Sequence, residues 1–200
     1  MIDILTPLGI GLLMIGLLSR LPFHQLGCSV WCRNLLIALF IGLSLLPFSG
    51  ISLFNFLYGV ITFLSLPSVL LLALFALRAQ GIPQAKLLPK EKILLAATTF
   101  LIGLVLYPSA TGFMSFDLYE TGFSYPFSLF LALLVFVTFY QGLKRLGFMY
   151  LAIWLAWLLE ANHSPNGYDY LLDFWLFLWA AVFMITFIFK GVASWRKKLA

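Results

Sequence analysis

The stretch FWLFLWAAVFMITFIFK (174–190) places sixteen uncharged, mostly apolar residues between Asp173 and Lys190. As a helix rising ~1.5 Å per residue, it crosses most of the ~30 Å hydrocarbon layer of a bilayer. The run is continuous, whereas a strand of a transmembrane barrel alternates apolar and polar residues. The stretch therefore predicts a membrane-spanning helix with an acidic residue at one end and a basic residue at the other.

Six similar apolar runs precede this one. The 200-residue sequence is 63% hydrophobic and 10% charged, whereas about a quarter of the residues in a soluble domain are charged. We therefore predict an all-α, polytopic helical bundle of about seven transmembrane helices, forming a single transmembrane domain over residues 1–200. The six earlier spans are expected near residues 2–18, 34–49, 62–77, 92–107, 125–141 and 147–160.

The charges predict how these spans are oriented. Threaded as seven spans, the chain places all twelve Lys and Arg residues on one side, and six of the seven acidic residues on the other, with only Glu91 on the basic side. Basic residues remain on the cytoplasmic side. We therefore expect the N-terminus outside and the C-terminus in the cytoplasm. The first run has no basic segment before it, so it is expected to remain as a helix rather than be cleaved.

This pattern also predicts where the protein resides and what it contacts. Basic loops and an uncleaved first helix are typical of the bacterial inner membrane, although an organelle membrane would look similar. The net charge of +5 is explained by loops that lie beside anionic lipid headgroups. The expected partners are therefore the lipid bilayer and a membrane protein or a second copy of the chain. No nucleic-acid partner is predicted.

The apolar stretch 51–77 is too long for one upright span. Its 27 residues would extend ~40 Å as a helix, and Pro67 removes a backbone donor within it. We predict a short interfacial helix near 51–61, followed by a span that begins near Thr62. The alternative is one long, tilted helix kinked at Pro67.

Two predicted outer loops, 108–124 and 161–173, concentrate the polar residues of the chain. Convergent carboxylates with one imidazole can bind a divalent cation or hold a general base near neutral pH. With aromatic walls, such a pocket could hold a sugar or a lipid headgroup. The catalytic candidates are Glu160, His163 and Asp169. The binding candidates are Asp117, Tyr119, Glu120, Tyr168 and Asp173.

A purely structural interpretation of the same residues is also open. Loop carboxylates can remain solvated or cap helices. Asp173 stands where it could cap the last span, and Asn166-Gly167 is typical of a turn. No spacing matches a known metal-binding signature, so neither a metal site nor a cofactor is predicted. Cys28 and Cys32 are predicted to be free thiols on the reducing side.

Three functional classes fit these observations, and the first requires least of the sequence. It is a non-catalytic accessory or scaffolding subunit of a cell-envelope membrane complex. The second is an outer-leaflet enzyme that acts on a lipid-linked or headgroup substrate through the acidic and histidine residues. The third is a channel or facilitator. Ion-coupled carriers are disfavoured because no charged residue lies near the middle of a predicted span.

Overall fold

Helices form nearly all of the regular structure in the computed structural model, which describes residues 4–22, 29–48, 50–161 and 164–199. Within these residues the all-α prediction is confirmed. A 3₁₀ helix spans Tyr119–Phe123, and the short strands β1 (Pro47–Phe48) and β2 (Ile51–Ser52) pair antiparallel. The α-helices are α1 (Leu5–Leu18), α2 (Val30–Ser44), α3 (Leu53–Ile61), α4 (Leu66–Ala79), α5 (Pro89–Ala110), α6 (Tyr125–Tyr140), α7 (Lys144–Leu158), α8 (Gly167–Leu171) and α9 (Phe174–Leu199).

Two of the described helices are long and apolar enough to cross a membrane. They are α5 and the Phe174–Gly191 part of α9. Helices α1, α2, α4 and α6 are also apolar, but each has only 14 to 16 residues. The all-α prediction is thus confirmed, two described helices have the length and composition of a span, and the bundle of about seven transmembrane helices stays a prediction.

The stretch 51–77 forms two helices, so the alternative of one kinked helix is wrong. Helix α3 ends before Thr62, whose φ of +41° breaks the helix, and α4 begins at Leu66. Pro67 lies in the first turn of α4, where its missing N–H costs no hydrogen bond. The Leu64 amide donates to Thr6 Oγ1 at 3.1 Å, which fixes the break to α1. The interfacial location of α3 stays a prediction.

The second predicted span needs a correction at its ends. We expected it at 34–49, but α2 begins at Val30 and ends at Ser44. The Ser29 hydroxyl caps its start by accepting from the Cys32 amide at 3.2 Å. After Ser44 the chain enters the β1–β2 hairpin, where Gly50 adopts a φ of +91°. An apolar pattern cannot show this end because the hairpin is itself apolar.

Residue contacts divide the chain into two units, Met1–Lys86 and Leu87–Ala200. In the first unit, α1 packs closely along α4. Gly16 permits this approach, since a Cβ at this position would overlap the Phe75 ring. At the end of this pair the Gln80 side chain bridges two neighbours, donating to Ser19 Oγ at 2.8 Å and accepting from Arg33 Nη2 at 2.7 Å. The prediction that residues 1–200 form one domain stays a prediction.

In the second unit, α5 packs against α9 and α6 packs against α7. Hydroxyls join the helices in its interior: the Thr98 and Tyr150 hydroxyl oxygens lie 2.7 Å apart, and Trp154 Nε1 donates to Ser128 Oγ at 2.9 Å. A small residue, Gly103 of α5, lets this helix approach α9 closely. These contacts hold the loops at the ends of α5, α6, α7 and α9.

We expect Gly103→Ala to destabilise the α5–α9 pair by about 1–3 kcal/mol, because overpacking forces neighbours to shift. A Cβ at Gly103 would overlap the Phe177 ring, which lies against α5. Thermal unfolding in detergent measures the loss, and the double variant Gly103→Ala/Phe177→Leu should recover part of it. The control is Gly11→Ala, where nothing lies within 4 Å of the added Cβ. Equal stability of both single variants would contradict the prediction.

Candidate functional site

The two polar loops meet where the 3₁₀ helix lies beside α8. The Tyr119 hydroxyl donates to Asp169 Oδ2 at 2.8 Å, and the Ser164 hydroxyl donates to the same oxygen. The Thr121 and Tyr168 hydroxyl oxygens lie 3.1 Å apart. We call the set Tyr119, Ser164, Asn166, Tyr168 and Asp169 the clasp, because it joins residues about fifty positions apart.

Asn166 is the fully buried centre of the clasp. Its Nδ2 donates to the Tyr119 carbonyl at 2.8 Å, and its Oδ1 accepts from the Tyr168 amide at 2.9 Å. The second bond caps the start of α8. Gly122 lies directly against this side chain, because a Cβ there would overlap Asn166 Oδ1. Asn166-Gly167 therefore begins a helix rather than forming only a turn.

Two carboxylates of the predicted site accept hydrogen bonds from backbone amides a few residues further along the chain. Asp173 is buried, and its Oδ1 accepts from the Leu176 amide at 2.8 Å, which caps the start of α9. Asp117 Oδ1 accepts from the Tyr119 amide at 2.8 Å and so shapes the approach to the 3₁₀ helix. For Asp173 the structural interpretation, a helix cap, is confirmed.

Two further candidates are not brought into the clasp. Glu120 is exposed on the 3₁₀ helix, and Glu160 is exposed two residues after the end of α7. Glu160 adopts a φ of +49°, a conformation that side-chain-bearing residues rarely take. His163 lies outside the described residues. Of the seven predicted site residues that the structure describes, it therefore joins Tyr119, Tyr168 and Asp169 in one cluster.

Burial is the main cause that raises the pKa of Tyr119, to about 12, and the hydrogen bond to Asp169 and the negative charge of that carboxylate act in the same direction. A phenol that donates to a carboxylate loses this bond, and gains a like charge beside it, when it ionises. Tyr119 is therefore a neutral hydrogen-bond donor at neutral pH. It holds Asp169 rather than acting as a base.

The clasp should weaken in alkaline solution. Because the pKa of folded Tyr119 is about 12 and its ordinary value is 10, its contribution to stability is complete below pH 10 and is lost as the pH rises towards 12. We expect the difference in melting temperature between the wild type and Tyr119→Phe to shrink over this interval. All other ionisable groups are the same in both proteins, so the comparison isolates Tyr119. A difference that is constant from pH 8 to 12 would contradict the prediction.

Neither metal coordination nor similarity to known proteins identifies a chemistry for the clasp. In the residues that the structure describes, no three His, Cys, Asp or Glu side chains are grouped closely enough to hold a metal ion. Comparison of the chain with known protein families, curated proteins and solved structures finds no match. Cys32 is an exposed free thiol, as predicted, and Cys28 lies outside the described residues.

Glu91, which the sequence marked only as the exception to the charge separation, is the most deeply buried carboxylate in the described part of the chain. Its side chain is 0% exposed. Its Oε2 accepts from the Leu88 amide at 2.8 Å, and its Oε1 accepts from the Arg145 amide at 3.0 Å. Glu91 thereby caps both α5 and α7. The sequence did contain a signal for the cap of α5. Proline favours the first position of a helix, and Glu91, two residues after Pro89, then stands at the third, from which a glutamate can bond back to the amide of the capping residue.

Proposed function

We propose that this chain is a seven-span integral protein of a bacterial inner membrane, with its N-terminus outside and its C-terminus in the cytoplasm. It serves there as a non-catalytic accessory or scaffolding subunit of a cell-envelope membrane complex. The spans are carried by α1, α2, α4, α5, α6, α7 and α9, and the short helices α3 and α8 belong to outer connections.

The clasp carries this proposal. A general base needs a lone pair that is directed at a substrate proton. Asp169 Oδ2 instead accepts from the hydroxyls of Tyr119 and Ser164. Asp173 and Asp117 bond to backbone amides. These polar groups therefore stabilise the loops of this chain, which supports a structural rather than a catalytic role for them.

The apolar surface supports the same proposal. In α2 only Ile37 and Ser44 are buried, so most of this helix needs lipid or protein to cover it. Trp31 is 86% exposed and Leu35 is 71% exposed. Exposed apolar patches of this kind mark membrane or protein contacts. A subunit in a larger complex would cover part of this surface with a partner.

Affinity purification from the native host in mild detergent tests the proposal, with the stoichiometry read by mass spectrometry. We expect a near-equimolar membrane-protein partner. Asp169→Asn should weaken its retention by loosening the loops, whereas the exposed Glu120→Gln should not. A chain that is recovered alone, or only as a homo-oligomer, contradicts the subunit proposal.

Recovery without a partner would lead to the two alternatives. An outer-leaflet enzyme predicts that Glu160→Gln or His163→Ala abolishes turnover while the chain still inserts into the membrane. A channel or facilitator predicts solute flux in vesicles that contain this chain alone. The two readouts are independent, so each alternative can fail separately.

A further inference from the structure

Two hydrogen bonds in series hold the guanidinium of Arg33 at one end of the first unit. Gln80, which directly follows α4, accepts from Arg33 Nη2 at 2.7 Å and donates from its own Nε2 to Ser19 Oγ at 2.8 Å. Ser19 is buried and directly follows α1. The ends of α1 and α4 thus position a side chain that comes from the start of α2. We call Arg33, Gln80 and Ser19 the Arg33 site.

The positive charge of Arg33 is not neutralised by the residues that the structure describes in this unit. Gln80 is a neutral amide, and Arg33 Nε donates to another neutral amide, Asn34 Oδ1, at 3.4 Å. The only acidic residue in the sequence from 1 to 86 is Asp3, which precedes α1, whereas Ser19 follows it. A guanidinium carries five N–H groups, and these two bonds use two of them. Arg33 therefore has a fixed position, a full charge and three N–H groups for a ligand.

An apolar stripe begins beside this charge and continues along α2. Leu36, Phe40 and Leu43 follow Arg33 at spacings of three, seven and ten residues, which places them on the same side of the helix. All three side chains are exposed. From Arg33 to Leu43 the helix rises ~15 Å, which is the depth of one leaflet, half of the ~30 Å hydrocarbon layer.

We propose that Arg33 binds the phosphate of an anionic phospholipid, and that an acyl chain of this lipid lies along the stripe. The inference rests on the membrane topology of the proposed function, which places Arg33 at the cytoplasmic surface. Guanidinium groups bind phosphate through two parallel N–H bonds, and anionic lipids are concentrated in the cytoplasmic leaflet. Gln80 and Ser19 are positioning residues, because their side chains bond to each other and Gln80 bonds to Arg33.

The charge and the stripe together favour a phospholipid over other ligands. A soluble phosphate would neutralise Arg33 but leave the three apolar side chains of the stripe uncovered. A neutral lipid would cover the stripe but leave the guanidinium without a counter-charge. An anionic phospholipid covers both features, because its phosphate and its acyl chains belong to one molecule.

Native mass spectrometry of the full chain in mild detergent tests the site, with phosphatidylglycerol and a diacylglycerol of the same acyl chains supplied in equal amounts. We expect the wild type to retain phosphatidylglycerol about tenfold more than diacylglycerol, and Arg33→Gln to lose this preference. The matched control is Arg78→Gln, which removes the same charge from an exposed residue in the last turn of α4. Residues two positions apart lie on opposite sides of a helix, so Arg78 is directed away from Gln80 and its variant should retain the preference.

Gln80→Leu tests the geometry without changing the charge. It removes the acceptor of Arg33 Nη2 and should lower the preference for phosphatidylglycerol at least threefold, whereas Gln141→Leu, at an exposed glutamine after α6, should not. The rise in melting temperature on adding phosphatidylglycerol is the second readout, because a variant that is only less stable still gains from a ligand that it binds. An unchanged preference and rise in Gln80→Leu, an equal loss in Arg33→Gln and Arg78→Gln, or no preference in the wild type would each overturn the lipid site.

Two other outcomes would assign Arg33 to a different anion. If the lipid-free wild type retains inorganic phosphate, Arg33→Gln does not, and neither prefers phosphatidylglycerol, the site binds a soluble phosphate. If Arg33→Gln loses a co-purified protein partner while its retention of phosphatidylglycerol is unchanged, Arg33 pairs with a carboxylate of that partner. Either outcome overturns the lipid site.

Carbonate extraction of native membranes separates this inference from the proposed function. A chain released into the supernatant contradicts the membrane topology and the lipid site together. A chain that resists extraction but shows no preference for phosphatidylglycerol contradicts the lipid site alone.

Discussion

Glu91→Ala is expected to lower the free energy of unfolding by about 3–5 kcal/mol, because buried hydrogen bonds to a charged acceptor contribute about 1.5–3 kcal/mol each. The carboxylate is 0% exposed, and its removal leaves the Leu88 and Arg145 amides without their acceptor. These amides begin α5 and α7, so two helix starts lose their cap together. The loss should lower the melting temperature by roughly 6–20 °C, at about 2–4 °C per kcal/mol for a chain of this size.

Tryptophan fluorescence during heating in detergent measures this loss. Glu91→Gln keeps one acceptor oxygen and should be destabilised by less than Glu91→Ala. The control is Glu120→Ala, because Glu120 is exposed and its substitution should change the melting temperature little. If Glu91→Ala melts at the same temperature as Glu120→Ala, Glu91 does not stabilise the helix starts.

Asn166→Ala should have the second-largest effect, about 2–4 kcal/mol, because it leaves a buried amide and a partly buried carbonyl without their partner. The Asn166 side chain is fully buried, and it binds the Tyr119 carbonyl at 2.8 Å and the Tyr168 amide at 2.9 Å. The first bond joins the two loops and the second caps α8. Its loss should open the clasp before the helices themselves unfold.

Amide hydrogen exchange tests this order of events. In Asn166→Ala, the amides of residues 119–124 and 167–172 should exchange at least tenfold faster, while those in the middle of α5 remain protected. Asn55→Ala is the matched control, since Asn55 is exposed on α3. Unchanged exchange at residues 119–124 would show that Asn166 does not hold the loops together.

The candidate site was partly predictable because helix caps are local. Asp173 stands one residue before α9 and caps it, an interaction within three positions of sequence. By contrast, the Tyr119–Asp169 bond joins residues 50 positions apart. The sequence predicted only that their loops share one side of the membrane. It could not show that Asp169 would be held by hydroxyls, or that Glu120 and Glu160 would be exposed.

The sequence by itself determined the helical class and the apolar runs, and it predicted the separation of basic from acidic residues across a membrane. It also indicated the break before Pro67, because a missing N–H affects only its own turn. These features depend on composition and on neighbours within a few positions. Only the tertiary structure decided which partners Glu91, Asp169 and Arg33 contact. Hydropathy shows that helices form, but not how they pack, and packing selects which distant atoms meet.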